Sequence, residues 1–322
     1  GLRMPDLSFY KIHYGIVSAD AAFEKFLGTL QNYFDADYYV DWNKIFKKIE
    51  NHRPELHLLS SLCGAQDKRK MARRVLTDYP KVVTALPLLM ACRNSVQLLD
   101  EKDDNAPVIA YNFPKHAKQL AQEEVEHYVR FLCDSRILTL LERIESVPDY
   151  VTGIEVGMDT NGRKNRGGDC GVKAIRPSIE ETLGEIPFLQ SKEEATFDYL
   201  SSQGCVLPEQ FHGERWDWAF WVKDEPRRLV VMEINHYGGG GSKLKAIARD
   251  YTGRHKSLAS AGIGFIWVTD GLGWLKSKNA LREAFETITY VVNVSLAKDG
   301  LLEWALRRLI LPRIKGQKEY AA

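Results

Sequence analysis

The chain has 322 residues, with 44 Lys and Arg against 43 Asp and Glu and a net charge of +1, so bulk charge selects neither a nucleic acid nor a membrane, and any such preference must come from local clustering. That length suits one large or two ordinary domains, and no apolar run approaches the roughly 20 residues that span a bilayer, while GLRMPDLSFYK lacks the apolar core of a signal peptide. The five cysteines (Cys63, Cys92, Cys133, Cys170, Cys205) are odd in number and hold no CxxC pair, which excludes a disulfide framework or zinc ribbon and points to reduced thiols in a cytoplasm.

In chain order, the first predicted elements are helices. AAFEKFLGTLQNYF, WNKIFKKI, VVTALPLLMACRNSVQLL and AQEEVEHYVRFLCDSRILTLLERI carry apolar residues at three-to-four spacing. Pro80 and Pro87 punctuate the third, which reads as two short helices or one kinked helix. Residues 1–148 therefore read as a helical N-terminal region that serves as scaffold.

Next comes GMDTNGRKNRGGD, residues 157–169, after the apolar-alternating DYVTGIEV. It reads as a glycine-hinged loop holding Asn161, Arg163, Lys164, Asn165 and Arg166. Two readings stay open: a solvated turn built on Asn161-Gly162, or a DNA-contacting loop. Arg suits guanine, Asn suits adenine, and Arg and Lys neutralise phosphates.

Residues 149–322 read as an α/β (α+β) domain with a mixed central sheet. WDWAFWV and RLVVMEINHY are predicted strands joined as a hairpin through KDEPRR. SKLKAIARDYTGRHKSLASA follows as a helix, GIGFIWVTDG as a strand and NALREAFETITYVVNVSL as a helix. In the hairpin, Asp217 and Glu233 can meet on one face at one end. Two converging carboxylates suit Mg²⁺, which takes oxygen ligands and keeps several waters. The bland alternative is a pair of solvated edge carboxylates, but Glu233 sits among Leu229, Val230, Val231, Met232 and Ile234, where an unpaired charge is costly. Asn235 shares the Glu233 face and stands where D…ExK nucleases carry lysine. Trp216 and Trp218 point to the other face and are expected to fill the core.

GGGGSK, residues 238–243, lacks the Gly-Lys-Ser/Thr order of a P-loop. Its glycines are expected to let the backbone turn where a substrate approaches. Ser242 is a candidate helix N-cap; Lys243 either reaches the reacting phosphate or is solvated.

Three of these blocks, DYVTGIEVGMDTNGRKNRGGD, MEINHYGGGGSKLKAIARDY and FIWVTDGLGW, resemble the signature blocks of the DpnII/MboI family of type II restriction endonucleases, and DYPKVVTALPLLMACR is similar to a fourth. The resemblance runs from about residue 35 to residue 290. It implies a PD-(D/E)xK-type nuclease core, Mg²⁺ as cofactor, and cleavage of double-stranded DNA at GATC, ahead of the G. A homodimer follows from the palindrome, and a cognate methyltransferase would protect host DNA. Carried over residue by residue, the resemblance makes Asp217 and Glu233 the metal ligands and Asn235 and Lys243 the residues that position or activate water. Asn161, Arg163, Lys164, Asn165, Arg166 and Ser242 become DNA contacts.

The chain departs from the family pattern at CGVKAIRPSIEE, where Val172 and Lys173 stand in place of a helix glutamate. Pro177 is expected to interrupt any helix there. Either Glu180 or Glu181 supplies the acid from a shifted helix, or Asp217 and Glu233 act alone; Lys173 is a candidate substitute for the lysine absent at 235. Three rivals follow: a nuclease-fold DNA-binding protein without cleavage, a relative with another short target, and a nucleotide-dependent enzyme using GGGGSK.

Overall fold

The computed structural model describes residues 5–311 apart from 103, 106, 117, 223 and 224. Lys223 and Asp224, in the predicted KDEPRR turn, lie outside the described residues. The chain forms two compact units, Ala36–Arg163 and Gly1–Asp35 with Lys164–Ala322. Each has its own apolar core. The division is therefore not a single cut at residue 148, which lies within the helix Val147–Asp159. The first 35 residues join the larger unit because Phe9, Phe23, Phe26 and Leu30 are buried in its core.

The smaller unit is largely helical, as its periodicity predicts. Its longest helix, Trp42–Ser60 (α1), starts at Asp41, whose carboxylate caps the Lys44 amide, and buries Ile45, Ile49, Leu56 and Leu59. Pro80–Met90 forms a 3-10 run instead of a kinked α-helix. Within the predicted helix, SVQLL is a strand, Ser95–Leu99 (β1), paired antiparallel with Val108–Asn112 (β2). Its burial alternates with the period of a half-covered strand, Val96 being buried between exposed neighbours.

The larger unit centres on a five-stranded mixed sheet of Leu189–Thr196 (β3), Arg215–Val222 (β4), Glu225–His236 (β5), Gly264–Asp270 (β6) and Tyr290–Val292 (β7), in the spatial order β3-β4-β5-β6-β7. The first two pairings are antiparallel and the last two parallel. The predicted hairpin and mixed sheet are present. Two strands escape the sequence pattern: β3, whose SKEE is polar, and β7, which lies inside a predicted helix and is too short to show a period.

Helices cover both faces of the sheet. Arg163–Glu185 (α2) packs against even-numbered residues: a Cβ on Gly171 would stand 3.3 Å from Ile234 Cγ2 and His236 Cβ. Lys243–Ser260 (α3) covers the face bearing Glu233 and Asn235. Both Trp216 and Trp218 are buried, as expected. At the C-terminal end of β6, Asp270 is 1% exposed and accepts the amides of Gln31, Gly271 and Val294 at 2.8–2.9 Å. It ties the N-terminal segment and the start of the helix Val294–Lys298 to the sheet. Tyr33 strengthens that tie by donating its amide to His236 Nε2 at 2.8 Å.

Candidate active site

The site is built on the β4–β5 ladder. Trp218 pairs with Met232, so Asp217 comes opposite Glu233 on the same face. Asp217 is held by its own backbone surroundings, its Oδ2 accepting the Ile234 amide at 2.7 Å. Glu233 is 7% exposed, because β5 is flanked on both sides and covered by α3. Burial first, and then the neighbouring Asp217 charge, push its carboxyl up to about 8. Opposing this is Arg254 of α3, whose Nη1 donates to Glu233 Oε1 at 2.8 Å. Asp250 and Glu214 stand 3.6 and 3.9 Å from the same guanidinium.

Asn235 is brought to this face but its amide is committed. Its Oδ1 accepts from Trp267 Nε1 at 2.7 Å and its Nδ2 donates to Tyr251 Oη at 2.8 Å. Tyr251 in turn stacks on Trp267, with centroids 5.0 Å apart. Asn235 thus ties β5 to β6 and α3. Lys243 is not brought in either. It is exposed at the first position of α3, about 16 Å of helix rise before Arg254. Nor does Ser242 cap that helix: its backbone is already helical (φ −57, ψ −27) and its side chain caps nothing, whereas a capping residue needs extended angles.

The glycine run has a packing role that sequence reasoning assigned to substrate. A Cβ on Gly238 would meet the Phe34 ring at 2.2 Å, and one on Gly240 would meet Lys276 at 2.8 Å. On the facing turn, Gly271 has φ +101 and its Cβ would strike the Tyr237 carbonyl oxygen at 2.2 Å. These glycines let two turns of the protein touch.

GMDTNGRKNRGGD is not a loop. Val147–Asp159 runs into a 3-10 turn, Thr160–Gly162, and then into α2. The glycines that looked like hinges include Gly167, whose Cβ would stand 3.0 Å from the His236 carbonyl, and with Gly171 four residues on they let the helix approach β5. Asn161, Lys164 and Asn165 are exposed, and Arg166 is half-buried. Arg163 donates to the Tyr39 carbonyl at 3.2 Å and lies over the Tyr39 ring.

α2 also runs unbroken through Pro177, which is exposed, while Ile175, Ser178, Ile179 and Thr182 anchor the helix to the core. The expected interruption is therefore absent: packing on both sides offsets one lost backbone hydrogen bond. Neither Glu180 nor Glu181 reaches the carboxylate pair. Both are exposed, on a helix that covers the opposite face of the sheet. Lys173 bonds Asp35 at 2.6 Å and so does not replace a lysine at 235.

Among the described residues no group of three or more His, Cys, Asp or Glu side chains is spaced to hold a metal. The candidate centre is a two-carboxylate site. Such a pair fits a Mg²⁺ ion that keeps water and takes its other ligands from substrate. The adjacency of half-buried Asp217 to buried Glu233, with Arg254 as the cation set against them, favours that fit. Arg254, with Gln210, Glu214 and Arg249, also lines an open cleft of about 370 Å³. Arg254 is the residue sequence reasoning missed; the signal was an arginine three positions after Tyr251 on a helix following the ExN strand.

The family model described as DpnII restriction endonuclease matches residues 22–304. Type II restriction enzyme MjaIII of Methanocaldococcus jannaschii is 35% identical, covering 86% of this chain and 95% of the relative. Type II restriction enzyme DpnII of Streptococcus pneumoniae is 31% identical over 87% of this chain and 97% of the relative. Type II restriction enzyme MboI of Moraxella bovis is 30% identical over 85% and 92%. No solved structure matches.

Proposed function

The chain belongs to the DpnII restriction endonuclease family, and from that premise we propose that it hydrolyses double-stranded DNA at a short palindrome, GATC, with Mg²⁺ as cofactor. The observation that carries the reading is the placement of Asp217 opposite Glu233 on adjacent strands, one largely buried and both on the face covered by α3. With the short helix Phe197–Ser202 and the 3-10 turn Glu209–Phe211 as an insertion between β3 and β4, the order α2, β3, β4, β5, α3, β6 follows the helix-strand-strand-strand-helix-strand arrangement expected of a PD-(D/E)xK core, and it supports that assignment.

Asp217 and Glu233 would hold the ion, which when bound polarises the phosphodiester and lowers the pKa of an attacking water. The protein's part is orientation. The Ile234 amide fixes one oxygen of Asp217, and the Asn235 tie to Trp267 and Tyr251 keeps the end of β5 in register beside it. Water attacks phosphorus opposite the leaving 3′ or 5′ oxygen, and the pair is fixed before substrate arrives, so little reorganisation accompanies the step.

Asn161 and Arg163 on the smaller unit, and Lys164, Asn165, Arg166 and Ser242 on the larger, are proposed DNA contacts. Exposed Lys164 and Asn165 in the first turn of α2 suit phosphates, and Lys243 suits the backbone better than the attacking water. A site that is its own complement is cut most simply by two copies of one active site, so a two-fold homodimer is proposed.

Supercoiled plasmid incubated with protein and Mg²⁺, with and without adenine methylation at GATC, tests this. Cutting of unmethylated plasmid with mapped ends at GATC, lost in Asp217→Ala and Glu233→Ala, is the expected result. Mapped ends at another short sequence would replace the target and keep the enzyme. Specific gel retardation without cutting would favour a binding protein that has lost cleavage, a reading that the committed amide of Asn235 motivates.

A further inference from the structure

The D…ExN arrangement leaves the site without the cation that a lysine two residues after the glutamate would bring, and the Asn235 amide, neutral in any case, is engaged at both ends by Trp267 and Tyr251. A cation is present all the same. Arg254 comes from α3, one helical turn beyond Tyr251, and its Nη1 lies 2.8 Å from Glu233 Oε1. Its side chain is 38% exposed against 9% for that of Glu233, so one edge faces the carboxylate while the rest borders the cleft that Arg249, Gln210 and Glu214 also line. Asp250 and Glu214 flank it at longer range, and the Tyr251 ring centroid is 6.0 Å away.

A guanidinium is planar and carries five donors, so it can keep a carboxylate on one edge and take a phosphate oxygen on another; a lysine ammonium does this less well. Phosphodiester hydrolysis spreads negative charge over the phosphoryl oxygens as the water adds, and a preplaced cation beside them lowers the barrier. Resting on the nuclease reading above, we propose that Arg254 is a catalytic residue that bridges Glu233 to a phosphate of the DNA at the cut, supplying from α3 the positive charge that β5 lacks.

The test compares Arg254→Ala, Arg254→Gln and Arg254→Lys with Glu233→Ala in single-turnover plasmid cleavage and in DNA binding without divalent cation. Arg254→Ala and Arg254→Gln are expected to lose about 100-fold or more in cleavage rate, with Arg254→Lys recovering part of it. Millimolar guanidinium should restore cleavage to Arg254→Ala and leave Glu233→Ala dead, which a merely structural arginine would not allow. The slope of log affinity against log salt should shrink by about one unit per active site in Arg254→Gln. Should Arg254→Ala fail to fold, Arg254→Gln, which keeps the side-chain stem, carries the test. Wild-type cleavage by Arg254→Gln with Glu233→Ala inactive, or inactive Arg254 variants with no guanidinium rescue and an unchanged salt slope, would overturn the role of Arg254 and leave the nuclease reading standing. Cleavage by Glu233→Ala at the wild-type rate would instead overturn the site itself.

Discussion

At Glu233 the fold and the proposed function pull against each other. Its carboxyl has an ordinary value of 4.5 and is raised to about 8 in the fold by burial and by Asp217. A raised value means that the folded protein binds the proton more tightly than the unfolded chain. Its contribution is therefore fully present below pH 4.5 and is lost as pH rises through about 8. Glu233→Gln removes that dependence. Without divalent cation, the variant's stability advantage over wild type should grow by about 1.4 kcal/mol per pH unit across the window and level off above it. Urea titrations between those limits measure this, and a constant difference would contradict it. Asn235 makes the opposite case, a polar residue whose role is packing. Asn235→Ala strands Trp267 Nε1, on a residue 0% exposed, and the Tyr251 hydroxyl. It should cost about 2–3 kcal/mol in urea unfolding, more than Tyr251→Phe, which removes one bond only. Asp217 and Glu233 could be named as candidates from strand alternation and the predicted hairpin, but the register that sets them opposite each other follows a shift at Trp221/Val222 that counting back from the turn does not give. The occupied amide of Asn235 was not legible in the sequence, because Trp267 and Tyr251 arrive from elements far along the chain.

At the scale of elements, α2 shows how composition misleads. NGRKNRGGD has the glycine and amide content of a loop, yet it is helical from Arg163. Gly167 and Gly171 sit where a Cβ would press on the end of β5, whereas a Cβ on Gly168 would meet nothing within 4 Å. Gly168→Ala should therefore be neutral or stabilise by up to about 1 kcal/mol. Gly171→Leu should destabilise by about 1–3 kcal/mol through overpacking against Ile234 and His236. Thermal melts of the two variants decide between helix packing and a hinge, since a flexible loop would tolerate both. The same contrast holds for Gly271, where φ is +101 and the Tyr237 carbonyl leaves no room. Close approach of another element, through its backbone at Gly167 and Gly271 and its side chains at Gly171, is a tertiary condition that selects glycine in each case.

For the whole molecule, the chain leaves the larger unit at Asp35 and returns at Lys164, so the sheet of that unit depends on its first 35 residues. Asp270 makes the dependence specific by holding the Gln31, Gly271 and Val294 amides from the sheet interior. Asp270→Ala leaves two buried donors, the Gly271 and Val294 amides, and the partly buried Gln31 amide unpaired and should cost about 3 kcal/mol. Six of the seven tryptophans (Trp216, Trp218, Trp221, Trp267, Trp274, Trp304) lie in the larger unit, so tryptophan fluorescence should report the shifted transition; an unchanged midpoint would remove Asp270 from this role. The sequence by itself determined the family, the helical character of the smaller unit, and the hairpin and mixed sheet, because short-range periodicity and long signature blocks are properties of consecutive residues. Tertiary structure alone decided that residues 5–35 belong with the sheet, that the basic stretch is helix, that Glu180 and Glu181 lie away from the site, and that Arg254 meets Glu233. Each of these depends on which distant side chains share a face, and that is set by how strands and helices pack together.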